Sequence, residues 1–311
     1  MRLGVLDVGS NTVHLLLVDA YRGAHPTPMH SQRWTLSLAS LIGADGSLSE
    51  GGAEALVDAV QQAAASARDA ECQELLSFAT SAVRDATNAA GVLDTVADRT
   101  GVQLEVLSGP EEARLTFLAV HRWLGWSAGN LLVLDIGGGS LEIAAGMDEE
   151  PALAESLPLG AGRMRRERLT ADPPGAPAVS ALREFAQGQL STVAGKVAEA
   201  GPFDRVAGTS KTFRTLARLA GAAPTAAGPR VPRSLTVTAL RQVTAFISRM
   251  TAADVGALEG VSADRSGQLA AGAAVALAAM TAVGVDEVQI CPWALREGII
   301  LRRLDQLAFS P

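Results

Sequence analysis

Two short apolar runs in this chain end on an aspartate that opens an Asp–x–Gly turn. Arg2–Gly9 reads RLGVLDVG and Leu131–Gly137 reads LLVLDIG, and both have the length and side chains of a buried β-strand. A carboxylate at the end of such a strand is costly to bury unless it has a partner or a task. The two segments extend into a gap-free alignment, VLDVGSNTVHLLL (Val5–Leu17) on VLDIGGGSLEIAA (Val133–Ala145). Asp7 falls on Asp135, Gly9 on Gly137, Thr12 on Ser140 and Leu15 on Ile143. Polar positions match as well as apolar ones, so one β-hairpin is predicted to be used twice, near the start of each half of the chain.

The intervening patterns are mostly helical. LSEGGAEALVDAVQQAAASARDAEC predicts a helix, LLSFATSAVRDATN a strand running into a loop or helix start, and TGVQLEVLSG a further strand. In the second half, GAGRMRRERLT reads as a helix and DPPGAPA as a loop that opens another. DRVAGTSKTFRTLARLAG reads as strand, turn and helix. GAAPTAAGPRVPRS is too rich in Gly and Pro for regular structure. EVQICPWALREGIILRRLDQLA predicts a strand and a closing helix with Pro292 near its start, where a missing N–H is tolerated. Alternating strands and helices in both halves predict an α/β architecture. A length of 311 residues suits about two domains. The repeat places one lobe over residues 1–125 and a second over 126–311, with the final helix able to pack back on the first.

Composition narrows the class. The chain is 48% hydrophobic but only 4% aromatic, so its core must be built from Ala, Val and Leu. A net charge of −7, with almost all positive charge on arginine, argues against a protein that coats DNA, while leaving room for a local basic groove. Leu269–Val285 carries no charge, but it is Ala-rich, weakly apolar and slightly short for a span of about 20 residues. It reads as a buried helix, and no membrane segment is expected. The N-terminus runs straight into a strand, unlike a signal peptide. Cys72 and Cys291 have no ligand spacing, which suits a reducing, cytoplasmic compartment.

Candidate chemistry centres on the second hairpin. Gly137, Gly138 and Gly139 have no Cβ, so the backbone can turn sharply and present N–H groups to an anion. A dinucleotide fingerprint would need these glycines to open a helix, whereas Gly139 leads into strand-like SLEIAAG. A Walker loop is also absent: Lys211 in GTSKT has Arg205 and Ser210 where that pattern demands glycines. In LSGPEEARL, Ser108 and Glu111 have the spacing of a capping box, which gives Glu111 a structural duty. Glu112 has none. In the first turn of a helix its ionised form is favoured, and it could aim a water at phosphorus. Asp7, Asp135 and Glu142 are candidate metal or water ligands, and their oxygen chemistry suits Mg²⁺. Among cations, Arg84, Arg163 and Lys211 stand out. Arg84 and Lys211 are favoured because each follows a strand, where α/β proteins place ligands. Arg302 and Arg303 read as surface arginines, and the four histidines show no metal spacing and receive no role.

Taken in order, DVGSNTVHLLL, ATSAVRDATN, SGPEEARL, LDIGGGSLEI, LPLGAGR and WALREGII resemble the exopolyphosphatase/guanosine pentaphosphate phosphatase (Ppx/GppA) family over essentially the whole chain. The resemblance implies a duplicated actin-like, sugar-kinase-like and Hsp70-like fold of the ribonuclease H type, with an active site in an interdomain cleft. It implies Mg²⁺-dependent hydrolysis of the terminal phosphate of inorganic polyphosphate, or conversion of pppGpp to ppGpp. By motif position Glu112 matches the catalytic glutamate, and Asp135 and Glu142 the metal and water carboxylates. Asp7, Ser10, Asn11, Gly137, Gly138, Gly139 and Ser140 match the two phosphate-binding turns, and Arg84 matches a phosphate-contacting arginine. Gly208, Thr209, Ser210 and Lys211 stand where much of the family has a GGT turn, so Lys211 adds charge there. The chain stops at Pro311, without the C-terminal helical domains of longer members, and a homodimer is compatible with the resemblance. The alternatives are a phosphotransferase of the same fold and a non-catalytic polyphosphate sensor.

Overall fold

Two hairpins closed by the same backbone hydrogen bond organise the protein. The computed structural model describes residues 1–21, 28–43 and 45–309. In the first hairpin β1 (Arg2–Val8) pairs antiparallel with β2 (Thr12–Asp19), which pairs with β3 (His30–Thr35). Then follow α1 (Glu50–Asp69), β4 (Glu74–Ala79), α2 (Ser81–Arg84), α3 (Ala89–Thr100) and β5 (Glu105–Val106). The five strands lie in the order β3-β2-β1-β4-β5, with β1, β4 and β5 parallel. Helix α1 starts where Ser49 accepts a hydrogen bond from the Gly52 N–H at 3.2 Å, and it buries a stripe from Leu56 to Ala67 against the sheet.

The second hairpin repeats the plan. After α4 (Gly109–Leu124), β6 (Leu131–Ile136), β7 (Leu141–Gly146) and β8 (Leu153–Leu157) form an antiparallel meander. The remaining elements are α5 (Ala161–Arg168), α6 (Ala176–Ala200), β9 (Arg205–Thr209), α7 (Ser210–Leu219), β10 (Ser234–Thr236), α8 (Val237–Ile247), α9 (Ala252–Gly256), α10 (Ala263–Ala282) and β11 (Glu287–Ile290). The sheet order is β10-β11-β9-β6-β7-β8, with β6, β9 and β11 parallel. Without β10, this is the order of the first sheet read from the other edge. The last helix, α11 (Leu295–Phe309), belongs to the first unit.

The chain therefore forms two compact units, residues 1–108 with α11, and residues 109–294. The repeat predicts a break at 125/126, whereas the compact units part before α4. That helix buries Ala113, Phe117 and Val120 in a cluster with Leu131, Val133, Ala144 and Ala207 of the second unit. The core of the second unit surrounds α10, in which every residue from Leu269 to Met280 is buried. Its uncharged stretch is thus a core helix, and no described helix is long and apolar enough to cross a membrane. The predicted TGVQLEVLSG strand is reduced to Glu105–Val106, while β3 and β8, polar or short in pattern, come from pairing with their neighbours.

Candidate functional site

The two turns share a hydrogen bond as well as the Asp–x–Gly that opens them. Gly9 N–H donates to the Thr12 carbonyl at 3.0 Å, and Gly137 N–H to the Ser140 carbonyl at 2.9 Å. The register sets Asp7 opposite His14 and Asp135 opposite Glu142, so each pair shares one face of its sheet. In the second unit the start of α5 is built onto the turn. Ala161 N–H donates to the Gly137 carbonyl at 3.0 Å and Arg163 N–H to the Gly138 carbonyl at 2.9 Å. A Cβ at Gly160 would lie 2.3–2.4 Å from backbone atoms of Gly139 and Ser140, so only glycine fits there. The turn's carbonyls are thus tied back to α5. Among the described residues, no acceptor takes the N–H of Gly138 or Gly139. Backbone donors held this way suit an anion.

Two buried carboxylates accompany this turn. Glu142 is 5% exposed, and its Oε1 accepts a hydrogen bond from Ser156 Oγ at 2.9 Å. Ser156 lies on β8, directly opposite Glu142. Helix α4 begins against the same serine, since a Cβ at Gly109 would stand 2.3 Å from Ser156 Cβ. Three residues on, in the first turn of that helix, Glu112 is 7% exposed. Ser156 therefore joins the strand that carries Glu142 to the helix that carries Glu112. No motif in the sequence marks it; only the β7–β8 register does.

In the first unit Ser10 Oγ and Ser81 Oγ lie 3.0 Å apart, and Asn11 is buried with its carbonyl accepting from the N–H groups of Leu36 and Ser37. Arg84 donates to the Leu107 carbonyl at 3.0 Å and pairs with Asp85 at 3.1 Å. Asp7 pairs with Arg296 of α11 at 3.7 Å, and Arg296 also donates to His14 Nδ1. His14 Nε2 lies 2.6 Å from Ser31 Oγ. Burial, reinforced by Arg296 and Arg33, lowers the His14 pKa from 6.5 to about 3, so the ring is neutral. Because arginine can only donate, Nδ1 accepts, and Nε2–H donates to Ser31. Ligand spacing predicts no role for any histidine, yet His14 is the structural counterpart of Glu142, a correspondence contained in the repeat alignment.

The GTSKT segment divides. Gly208 lies within β9, and Thr209 is fully buried with its hydroxyl donating to the Trp293 carbonyl at 2.8 Å. Ser210 has φ of 78°, in the left-handed region that favours glycine. Lys211, in the first turn of α7, lines a cavity of about 10 Å³ with Ser262, Arg265 and Gln268, room for about one water. Arg303, read as a surface residue, is half-buried and pairs with Glu74 at 2.9 Å.

Among the described residues, no group of three or more His, Cys, Asp or Glu side chains could hold a metal ion. The Asp135–Glu142 pair fits a cation such as Mg²⁺, which takes one or two protein carboxylates and keeps several waters.

A family model described as the Ppx/GppA phosphatase family matches residues 17–307. Exopolyphosphatase 1 of Mycobacterium tuberculosis (strain ATCC 25618 / H37Rv) is 59% identical over 99% of this chain and 90% of its own length. The guanosine-5'-triphosphate,3'-diphosphate pyrophosphatase of Aeromonas hydrophila is 27% identical over 95% of this chain and 58% of its own. The crystal structure of an exopolyphosphatase from Cytophaga hutchinsonii matches with a TM-score of 0.88 at 21% identity, covering 98% of both chains.

Proposed function

Because the chain belongs to the Ppx/GppA phosphatase family, we propose that it is an exopolyphosphatase, releasing terminal orthophosphate from inorganic polyphosphate by hydrolysis. One observation carries the reading: a turn with bare backbone donors at Gly138 and Gly139, next to the Asp135–Glu142 pair. The 59% identity with an exopolyphosphatase supports polyphosphate as the substrate class.

The chemistry follows from charge and position. Gly138 and Gly139 N–H groups receive the oxygens of the terminal phosphoryl group, with no reorganisation needed as charge shifts during transfer. Asp135 and Glu142 would hold Mg²⁺, which, when bound, neutralises charge on phosphate oxygens. Ser156 keeps one oxygen of Glu142 in place. Glu112 orients a water in line with the terminal P–O–P bond and accepts its proton as the new P–O bond forms. The shortened chain leaves on its bridging oxygen. Phosphoryl transfer depends mainly on positioning and charge stabilisation, so a carboxylate suffices and no covalent intermediate is required.

The test is phosphate release with Mg²⁺ from tripolyphosphate, long-chain polyphosphate and pppGpp at equal concentrations of ends. Preference for either polyphosphate, lost on chelation with EDTA, is expected. Preference for pppGpp would make the protein an alarmone phosphohydrolase instead, and acceptor-dependent ADP formation from ATP would make it a phosphotransferase.

A further inference from the structure

Helix α5 carries the densest run of arginines in this acidic protein. Its eight residues, AGRMRRER, contain four arginines and one acid, in a chain of net charge −7. Elsewhere arginines commonly meet carboxylates: Arg99 pairs with Glu54, Arg122 with Glu149, Arg218 with Glu259 and Arg303 with Glu74. On α5 Arg166 keeps to this pattern, pairing with Glu167 at 3.5 Å, but two other arginines do not. Among the described residues, no carboxylate pairs with Arg165 or Arg168. Arg168 is instead held over the Phe185 ring of α6, its guanidinium carbon 3.8 Å from the ring centroid. That contact orients the cation without neutralising it. Arg165 and Arg168 are three residues apart, so their side chains are neighbours on the helix surface, where like charges repel. One basic side chain in the last turn would satisfy the helix dipole; three are present.

The position of this helix gives the excess charge a use. Its first residues are hydrogen-bonded to the Gly137 and Gly138 carbonyls, so α5 leads directly away from the turn read above as the phosphoryl site. An eight-residue helix extends about 12 Å. A single phosphate in the turn would not reach Arg165 or Arg168, whereas a substrate that repeats its charge every few ångströms would.

We propose that α5 is a track for the polyphosphate chain, with Arg165 and Arg168 contacting phosphates beyond the terminal one. The proposal rests on the polyphosphatase reading and adds a chain-length preference to it. Long chains gain binding from this face and tripolyphosphate does not. Because the contacts are between point charges and a linear polyanion, each contributes counterion release and hence salt dependence.

The experiment compares the wild type with the Arg165→Gln/Arg168→Gln double variant on tripolyphosphate and on chains of several hundred phosphates. Expected for the long chain are a KM about tenfold higher, little change in kcat, and a log–log salt slope of kcat/KM reduced by about two. Tripolyphosphate kinetics should stay within about twofold of wild type. The Arg165→Lys/Arg168→Lys variant, which keeps the charge, should keep the long-chain KM. An unchanged long-chain KM in the Gln variant overturns the track. So does an equal loss on both substrates, or the same loss in the Lys variant, since either marks a structural role. Equilibrium binding of end-labelled long-chain polyphosphate separates the two readings. Binding without turnover in wild type rejects the proposed function alone, whereas absent binding, or binding equal in wild type and Gln variant, rejects the track. Tighter, arginine-dependent binding of RNA would reject polyphosphate as its occupant.

Discussion

At the scale of single residues, the two copies of the hairpin have diverged at one informative place. Asp135 faces Glu142, and Asp7 faces His14. In the second unit the result is an acid pair suited to a cation. In the first it is an aspartate and a neutral imidazole, both engaged by Arg296. Glu112 carries the sharpest residue-level prediction. Glu112→Gln keeps size and hydrogen bonding but cannot accept a proton, so kcat should fall by at least about 100-fold while KM changes less than about threefold. Steady-state phosphate release checks this, and near-normal kcat would remove Glu112 from the mechanism. His14 makes a prediction about stability. Its pKa is near 3 when folded and 6.5 otherwise, so the unfolded chain binds the extra proton. Its contribution is complete above about pH 6.5 and is lost progressively as pH falls toward 3. Denaturant melts of His14→Gln should show a weaker decline in that window, by up to a few kcal/mol.

At the scale of elements, glycine positions decide how closely backbones approach. Gly160 lets α5 begin against the turn it supports, and Gly162 lies where a Cβ would come within 3.1 Å of the Gly138 carbonyl oxygen. Gly160→Ala would force the turn and the helix apart by about an ångström. We expect turnover to fall by about 100-fold, as misplacement of positioning groups by about 1 Å does, with destabilisation of roughly 1–3 kcal/mol. Thermal melts and kinetics on the same sample distinguish the two effects, and wild-type turnover would show that the turn tolerates the displacement. Ser210, at φ 78°, tells the complementary story of a side chain holding a conformation that glycine adopts more readily.

At the scale of the whole molecule, α11 returns the end of the chain to the first unit. The pairs Arg296–Asp7 and Arg303–Glu74 tie it to β1 and β4, and its Ile299, Ile300 and Leu301 are buried. The first unit is therefore completed by residues nearly 200 positions away from its other part. Ile300, fully buried, is the test: Ile300→Ala should cost about 2–5 kcal/mol. Hydrogen exchange should show the loss in β1, β2 and β4 before any change in α10. Uniform weakening of both units would contradict their separate cores.

What the sequence determined by itself was local and periodic. The repeated strand–Asp–x–Gly–strand pattern, the bare glycine turn, the helix start before Glu112 and the alternation of strands with helices are all written in adjacent residues, where turn chemistry and hydrophobic period act. The tertiary structure alone decided the partners. Ser156 orients Glu142 through strand register, Thr209 ties β9 to the Trp293 carbonyl, and Arg296 reaches His14 across 282 residues. It also assigned α4 to the second unit, because Phe117 and Val120 pack with β6 and β7 rather than with the strands before them. Such pairings depend on which buried faces meet. A linear pattern specifies that a face exists, but packing chooses the surface against which it is buried.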